Sequence, residues 1–347
     1  MNRRRFLSGM VLAAEWTKAA RAGGTPMAMT LHDASWAAWK DAFLGKDGRV
    51  IDHLQSGASH SEGQGFGLVL SVYHSDRAAF DAIHHWTKQN LSERADGLLN
   101  WRRLPGASSA DPVNATDGDL FVAWGLMLGA DRFDLPEARA QAQQIAAAIS
   151  KACLHPDPRM PSRLLLLPAS TGFVRDSKVI FNPSYIMPRA LYDLANLTRD
   201  DRLARAASDG LDLLTELATQ SALPDWAEVD AEGVRPSTEL PGHFGYDAMR
   251  VALYLIWSGQ RDHRAVERAA KVYAAAIDGL TPVVVRLADG YVIESSTYAG
   301  FAALQNLVLG RSAINETLDV TQGYYPATLE MLCRVAAFDT SAALAPI

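Results

Sequence analysis

Apolar residues recur at spacings of three and four along most of the chain, the signature of helices with one buried face. Trp36, Trp39 and Phe43 open the pattern. Residues 45–59, with three glycines and many polar side chains, read as a loop. It leads into Ser61-Glu62-Gly63-Gln64-Gly65-Phe66-Gly67, which an apolar run extends as helix to about residue 74. Asp76 is placed to cap the next helix, whose buried stripe is Phe80, Ile83, Trp86 and Leu91. Residues 96–114 read as irregular. A helix then starts near Asp117 and ends before Phe133, and another runs from Pro136 with Ala138, Ala142, Ile145 and Ile149 on its apolar face.

Residues 164–180 read as extended, a short hairpin between helices. A helix is expected at Asn182-Pro183-Ser184, where Pro183 suits a first turn. Residues 200–218 form its amphipathic partner, with Leu203, Ala206, Leu211 and Leu214 inward. Residues 222–243, containing Pro224-Asp225-Trp226, read as a long loop. Further helices are expected over about 245–258, 262–278, 297–309 and 325–337. The total is roughly eleven or twelve helices, mostly in successive pairs with short connections. Only one or two weak strand signals appear, and the alternation of a doubly wound sheet is missing. No repeat of fixed period is visible. One all-α domain of concentric helix pairs fits this pattern.

Composition narrows the class without naming a function. The 347 residues are 48% hydrophobic and 21% charged, enough for a substantial core. A net charge of −6 argues against nucleic acid as a partner. The histidines are scattered, so no metal-ligand cluster and no cofactor motif emerges. Cys153 and Cys333 are available to pair, and spacing does not decide whether they do. At the N-terminus, Arg3-Arg4-Arg5 precede a short apolar run and Ala20-Arg21-Ala22 offers a small-x-small cleavage site. Residues 1–22 are therefore expected to be a secretory signal peptide, with a twin-arginine-like start; a basic surface helix is the competing reading. The apolar run is too short to span a bilayer. The expected mature chain, residues 23–347, is a single catalytic domain that works in the periplasm or beyond it, with no membrane span.

The candidate chemistry lies where acids and hydroxyls sit at helix starts. Besides Glu62 among its glycines, the stretches are Asn114-Ala115-Thr116-Asp117-Gly118-Asp119, Phe181-Asn182-Pro183-Ser184-Tyr185 and Gly242-His243-Phe244-Gly245-Tyr246-Asp247-Ala248-Met249-Arg250. Each alone reads equally as an N-cap. Asp117-x-Asp119 lacks the later ligands of a calcium loop. Taken in order, Ser61-Glu62-Gly63-Gln64, Ala115 to Asp119, Asn182 to Tyr185 and Tyr246-Asp247-Ala248-x-Arg250 resemble the motifs of glycoside hydrolase family 8, over about residues 36–332. The match is nearest in style to the bacterial endoglucanases that accompany cellulose synthesis. Gly65 follows Gln64 where a serine is common in that family, and Gly245 stands where a serine often precedes the Tyr-Asp pair.

The resemblance implies an (α/α)6 barrel of six inner and six outer helices. It also implies hydrolysis of β-1,4-glucan with inversion, a possible functional association with the cellulose synthase machinery, and no cofactor. It places the general acid at Glu62, the general base at Asp247 and the sugar-positioning carboxylate at Asp117. Tyr185 and Arg250 match positions supporting the base. Inversion needs a protonated carboxyl and an ionised one separated by about 6.5–9.5 Å, with room for a water. Glu62 at a helix N-terminus poses a difficulty, because the helix dipole favours its ionised form. Partial burial beside Phe66, or a nearby ionised Asp117, is the expected offset. Arg250, about one turn after Asp247, is expected to favour the charged base.

Glucan chains present apolar CH faces, and aromatic rings stack on them. Trp101, Trp226, Tyr324 and Tyr325 lie in loops or at a helix start and are the candidates, with core packing as the alternative for each. The glycines around Glu62 read as clearance for the polysaccharide. Competing functions are the same fold acting on xylan, chitosan or mixed-linkage glucan, a non-catalytic glucan-binding assembly protein, and a helical-barrel lyase. A lyase would want a basic cleft, for which the sequence shows no cluster.

Overall fold

A computed structural model describes residues 31, 34–277, 279–311 and 317–344. The expected signal peptide, residues 1–22, lies outside the described residues. Eleven α-helices are present among them. They are α1 Ala34–Phe43, α2 Ser61–Tyr73, α3 Arg77–Leu91, α4 Thr116–Phe133, α5 Pro136–Ala152 and α6 Pro188–Thr198. The rest are α7 Asp201–Leu217, α8 Ala248–Trp257, α9 Arg264–Ala274, α10 Ala299–Val308 and α11 Tyr324–Leu344.

Burial sorts these helices into two rings. All ten residues of α8 are buried, and nearly all of α2 and α4; a helix apolar on every side belongs inside. By contrast α3, α5, α7 and α9 each bury one stripe and expose the rest. The inner helices form a closed circuit. Helix α2 packs on α4, α4 on α6, α6 on α8, α8 on α10 and α11, and α11 back on α2. Outer helices α3, α5 and α9 each bridge two successive inner ones, α7 packs on α6 and α9, and α1 lies against α11. This is the (α/α)6 barrel that the sequence pattern and the resemblance implied. Between α10 and α11 the described chain holds a 3-10 turn, Val320–Gln322, in place of a sixth outer helix.

A half-buried polar cluster ties the ring together. Asp339 Oδ2 of α11 accepts from Tyr73 Oη of α2 at 2.7 Å, from Trp257 Nε1 of α8 at 2.9 Å and from the Arg189 guanidinium of α6. On α4, Trp124 Nε1 donates to Asp193 Oδ2 of α6 at 2.9 Å. One carboxylate satisfying donors from three helices holds their relative positions better than apolar contact alone.

Three expectations need correction. The helix expected from Asn182 is only a 3-10 turn, Pro183–Tyr185, and α6 begins at Pro188. Pro188 disfavours the α region for its predecessor, and Met187 is extended at φ −106°, ψ 92°. The loop expected over 222–243 contains a hairpin, β6 (Ala227–Asp230) and β7 (Gly233–Pro236). Strand β5 (Lys178–Phe181) pairs with β6 in antiparallel register, Phe181 opposite Ala227. In total nine strands of two to seven residues make four small antiparallel sheets among the described residues. They include β1 (Ser59–His60), β2 (Arg102–Arg103), the hairpin β3–β4 (Leu154–Asp157 and Met160–Leu166) and the hairpin β8–β9 (Thr281–Val285 and Val292–Ser296). These strands are too short and too evenly buried or exposed to show alternation; β6 is buried at its first three positions and β9 exposed at its first four. Cys153 and Cys333 are both buried and free.

Candidate active site

The site is set by how closely α2 and α4 approach. A Cβ at Gly65 would lie 2.6 Å from Phe121 Cβ and 2.8 Å from the backbone of Phe121 and Val122. One at Gly118 would lie 2.7 Å from the Glu62 nitrogen, and one at Gly125 would lie 2.7 Å from Leu68 Cβ. Only glycine lets the two backbones come this near. Gly63, Gly65 and Gly67 are all buried. Gly65 gives clearance for the α4 crossing, while Gly63 faces the Tyr324 hydroxyl and Gly67 faces Ile83 and Val50, so the expectation that these glycines clear a polysaccharide is corrected. Gln64 is also buried. Its Oε1 accepts from Val50 N–H at 2.5 Å and its Nε2 donates to Thr87 Oγ1 at 2.9 Å, pinning the 45–59 loop and α3 to α2.

This crossing brings Glu62, in the first turn of α2, against Asp117, in the first turn of α4. The two side chains share a hydrogen bond. Asp117 is only 6% exposed, and Gly118 N–H donates to its Oδ1 at 2.8 Å. Burial first, then the Glu62 charge, push the Asp117 carboxyl well above the usual carboxylate range. The expectation was an ionised Asp117 sustaining a proton on Glu62; the structure makes Asp117, the more buried member, the group whose charged form is disfavoured. Asp119, two residues on, is wholly buried and accepts from Leu99 N–H at 2.7 Å and Asn114 Nδ2 at 2.9 Å. Its bonds anchor the 96–114 loop, and burial raises its carboxyl to about 7.

Asp247 is the N-cap residue of α8. Its Oδ2 accepts from Asn182 Nδ2 at 3.0 Å, and its Oδ1 from Arg250 Nη2 at 2.6 Å. The same guanidinium donates through Nη1 to Glu62 Oε1 and through Nη2 to Ser184 Oγ at 3.2 Å. Arg250 is 4% exposed. It joins both candidate carboxylates, where only Asp247 was anticipated. Two hydrogen bonds of about 2.8 Å and the fork between them set the nearest oxygens of Glu62 and Asp247 within about 8 Å of each other. Tyr254, one turn further along α8, lies under this cluster with its hydroxyl buried.

Two carboxylates thus meet on one buried cation, and a third, Asp117, sits against the first. A family comparison fits that arrangement: residues 9–339 match Glycosyl hydrolases family 8. The chain belongs to this family. An endoglucanase of Cellulomonas uda is 32% identical over 282 residues, 80% of this chain and 77% of that protein. A probable endoglucanase of Novacetimonas hansenii is 30% identical, over 87% of this chain and 89% of its own length. The crystal structure of endoglucanase Cel10 of Klebsiella pneumoniae, a family 8 glycosyl hydrolase, superposes with a TM-score of 0.83 at 29% identity, over 89% of this chain and 100% of that one. The protein is accordingly a glycoside hydrolase.

Around the carboxylates of this glycoside hydrolase the aromatic candidates separate. Tyr185 sits beside the acids; burial first, then the Asp117, Asp247 and Glu62 charges, hold its hydroxyl well above its usual value. Its ring lies 6.4 Å from that of Trp226, which stacks on Phe173 at 5.7 Å. Trp101 stacks on His60 at 5.7 Å, with the Arg102 guanidinium 4.2 Å over its ring. Ser61 N–H donates to the Trp101 carbonyl at 2.9 Å. Trp101 therefore borders Glu62, while Trp226 borders the Asp247 side; both are half-buried. Tyr325 is half-buried, its hydroxyl donating to the Tyr246 carbonyl beside Asp247. Tyr324 is different. It is 6% exposed and packs edge-on against Phe43 at 5.6 Å, with Trp39 at 6.4 Å. Buried against α1, it offers a sugar almost no surface, which corrects the expectation of a stacking role. Asn182 and Asp225 contact the Asp247 segment directly. Asn182 stood in a recognised motif; Asp225 carried no signal beyond its place in a loop.

Proposed function

We propose that this glycoside hydrolase is an endo-β-1,4-glucanase that cuts internal bonds of cellulose or carboxymethyl cellulose with inversion at the anomeric carbon. The observation that carries the reading is the buried Arg250 bridge between Glu62 and Asp247, with Asp117 hydrogen-bonded behind Glu62. Asp247 is the general base. Both of its oxygens are held, by Arg250 and by Asn182, which fixes their direction and leaves lone pairs to take a proton from water. Glu62 is the general acid, fed by the proton that it shares with Asp117. Water gives its proton to Asp247 and bonds to the anomeric carbon. The glycosidic C–O bond breaks as the Glu62–Asp117 pair protonates the leaving oxygen. Asp117 also grips the sugar at the cleavage point. Tyr185 and Arg250 support the base, and Trp101, Trp226 and Tyr325 offer rings along the chain path. The names of the relatives support a glucan substrate.

Residues 23–347 are read as one catalytic domain, exported by a signal peptide over residues 1–22 with a twin-arginine-like start. The resemblance to endoglucanases that accompany cellulose synthesis supports a role beside that machinery, in the periplasm or beyond. The decisive test uses soluble carboxymethyl cellulose. Glu62→Gln and Asp247→Asn are each expected to lower kcat by about 10³-fold or more while circular dichroism stays unchanged. Full activity in either folded variant would overturn the roles, and a β-configured first product seen by NMR would overturn inversion.

A further inference from the structure

Asp247 starts α8 but does not cap it. An N-cap side chain normally accepts from the N–H groups of the first turn, yet no such bond is made by Asp247. Its carboxylate is committed to Arg250 and Asn182 instead. The Met249 and Arg250 N–H groups donate to the Gly245 and Asp247 carbonyls, and Asp225, 22 residues upstream in the segment before β6, holds the two N–H groups just ahead of them. Asp225 Oδ1 accepts from Asp247 N–H at 3.1 Å and from Ala248 N–H at 2.7 Å. Asp225 is itself fixed: its N–H donates to the His243 carbonyl at 2.7 Å, and its Oδ2 lies 3.4 Å from His243 Nε2. It is 6% exposed.

We propose that Asp225 is the positioning residue for Asp247, holding the Asp247 and Ala248 N–H groups from outside α8 so that the Asp247 carboxylate stays aimed at the reacting water. The inference rests on the reading of Asp247 as the base. Without Asp225 the buried N–H groups of Asp247 and Ala248 would lose their acceptor, and the backbone that aims the Asp247 carboxylate would no longer be fixed. The local sequence accommodates this arrangement. A Cβ at Gly245 would collide with Asp225 Oδ2 and lie 3.1 Å from its Cγ, so glycine at 245 is what lets the carboxylate reach the helix end. Trp226, the next residue, ties the same segment to the aromatic pair with Tyr185. A sugar ring on Trp226 would then be registered against Asp247 through a single peptide.

The test compares Asp225→Ala, Asp225→Asn and Gly245→Ala with the parent protein on carboxymethyl cellulose, with folding followed by circular dichroism. Asn keeps a carbonyl that can accept both N–H groups; Ala does not. Asp225→Ala is expected to lower kcat about 10- to 100-fold, the scale of a misplacement near 1 Å, with KM within about twofold. Asp225→Asn should recover most of that loss. Gly245→Ala, which leaves the carboxylate in place chemically but displaces it, should lower kcat in the same way. If Asp225→Ala does not fold, the other two variants decide. Wild-type kcat in folded Asp225→Ala or Gly245→Ala would overturn the proposal, as would Asp225→Asn being as slow as Asp225→Ala. An inactive parent protein, by contrast, would count against the glucanase reading itself.

Discussion

Replacing Gly65 by alanine adds one methyl group at the tightest point of the α2–α4 crossing. That methyl would sit 2.6 Å from Phe121 Cβ and 2.8 Å from backbone atoms of Phe121 and Val122. Ordinary contact begins at 3.4 Å, so the helices must part by 3.4 − 2.6 = 0.8 Å at this point. The obstacle includes backbone, which cannot rotate away. Such overpacking costs about 1–3 kcal/mol, but alanine returns about 1 kcal/mol of helix propensity. The net, about 0–2 kcal/mol, moves the melting temperature of a chain this size by at most about 3 °C. Stability is therefore the insensitive readout. Gly65 is one turn from Glu62, and Phe121 is one turn from Asp117, so most of the displacement falls on the hydrogen bond between those carboxyls. A shift near 1 Å costs up to about 100-fold in rate, and a fall in kcat of about 10- to 100-fold on carboxymethyl cellulose is expected. The assay pairs initial rates with a thermal melt. A variant with parental kcat would show that the crossing does not hold the acid pair, and the account of the glycines would be wrong.

Asp117→Asn removes the carboxyl that burial and Glu62 raise. The alkaline limb of the pH–rate profile, where the pair loses its proton, should move to lower pH; an unmoved limb would refute the shared proton. Asp339→Ala strips one acceptor from Tyr73, Trp257 and Arg189. The loss should be about 2–4 kcal/mol, reduced from a fully buried pair because Arg189 is partly exposed, or about 3–5 °C in melting temperature with kcat little changed. Trp226→Ala removes a stacking face beside Tyr185, and KM for carboxymethyl cellulose should rise about 3- to 10-fold, from the roughly 0.7–1.4 kcal/mol of one ring contact. An unchanged KM would return Trp226 to a packing role with Phe173.

Helices α3, α5 and α7 were legible because each obeys a local rule. Their buried stripes recur at 3.6 residues, and Asp76, Pro136 and Asp200 mark their starts. The short strands were not, since two to seven residues carry too little period to read. Pro183 looked able to open a helix but opens only a 3-10 turn, and the helix starts at Pro188. Tyr324 and Tyr325 are neighbours of identical type, and only packing sends one into the core against Phe43 and the other to Tyr246.

The sequence by itself determined the helical pairing, the acids at the starts of α2, α4 and α8, and the motif order that led to the family. Those properties are carried by residues near one another in the chain. Tertiary structure decided which charges meet. Arg250 and Glu62 are 188 residues apart and Asp225 and Asp247 are 22 apart, and nothing local links either pair. Burial likewise belongs to the folded whole, and it is burial that disfavours the charged form of Asp117.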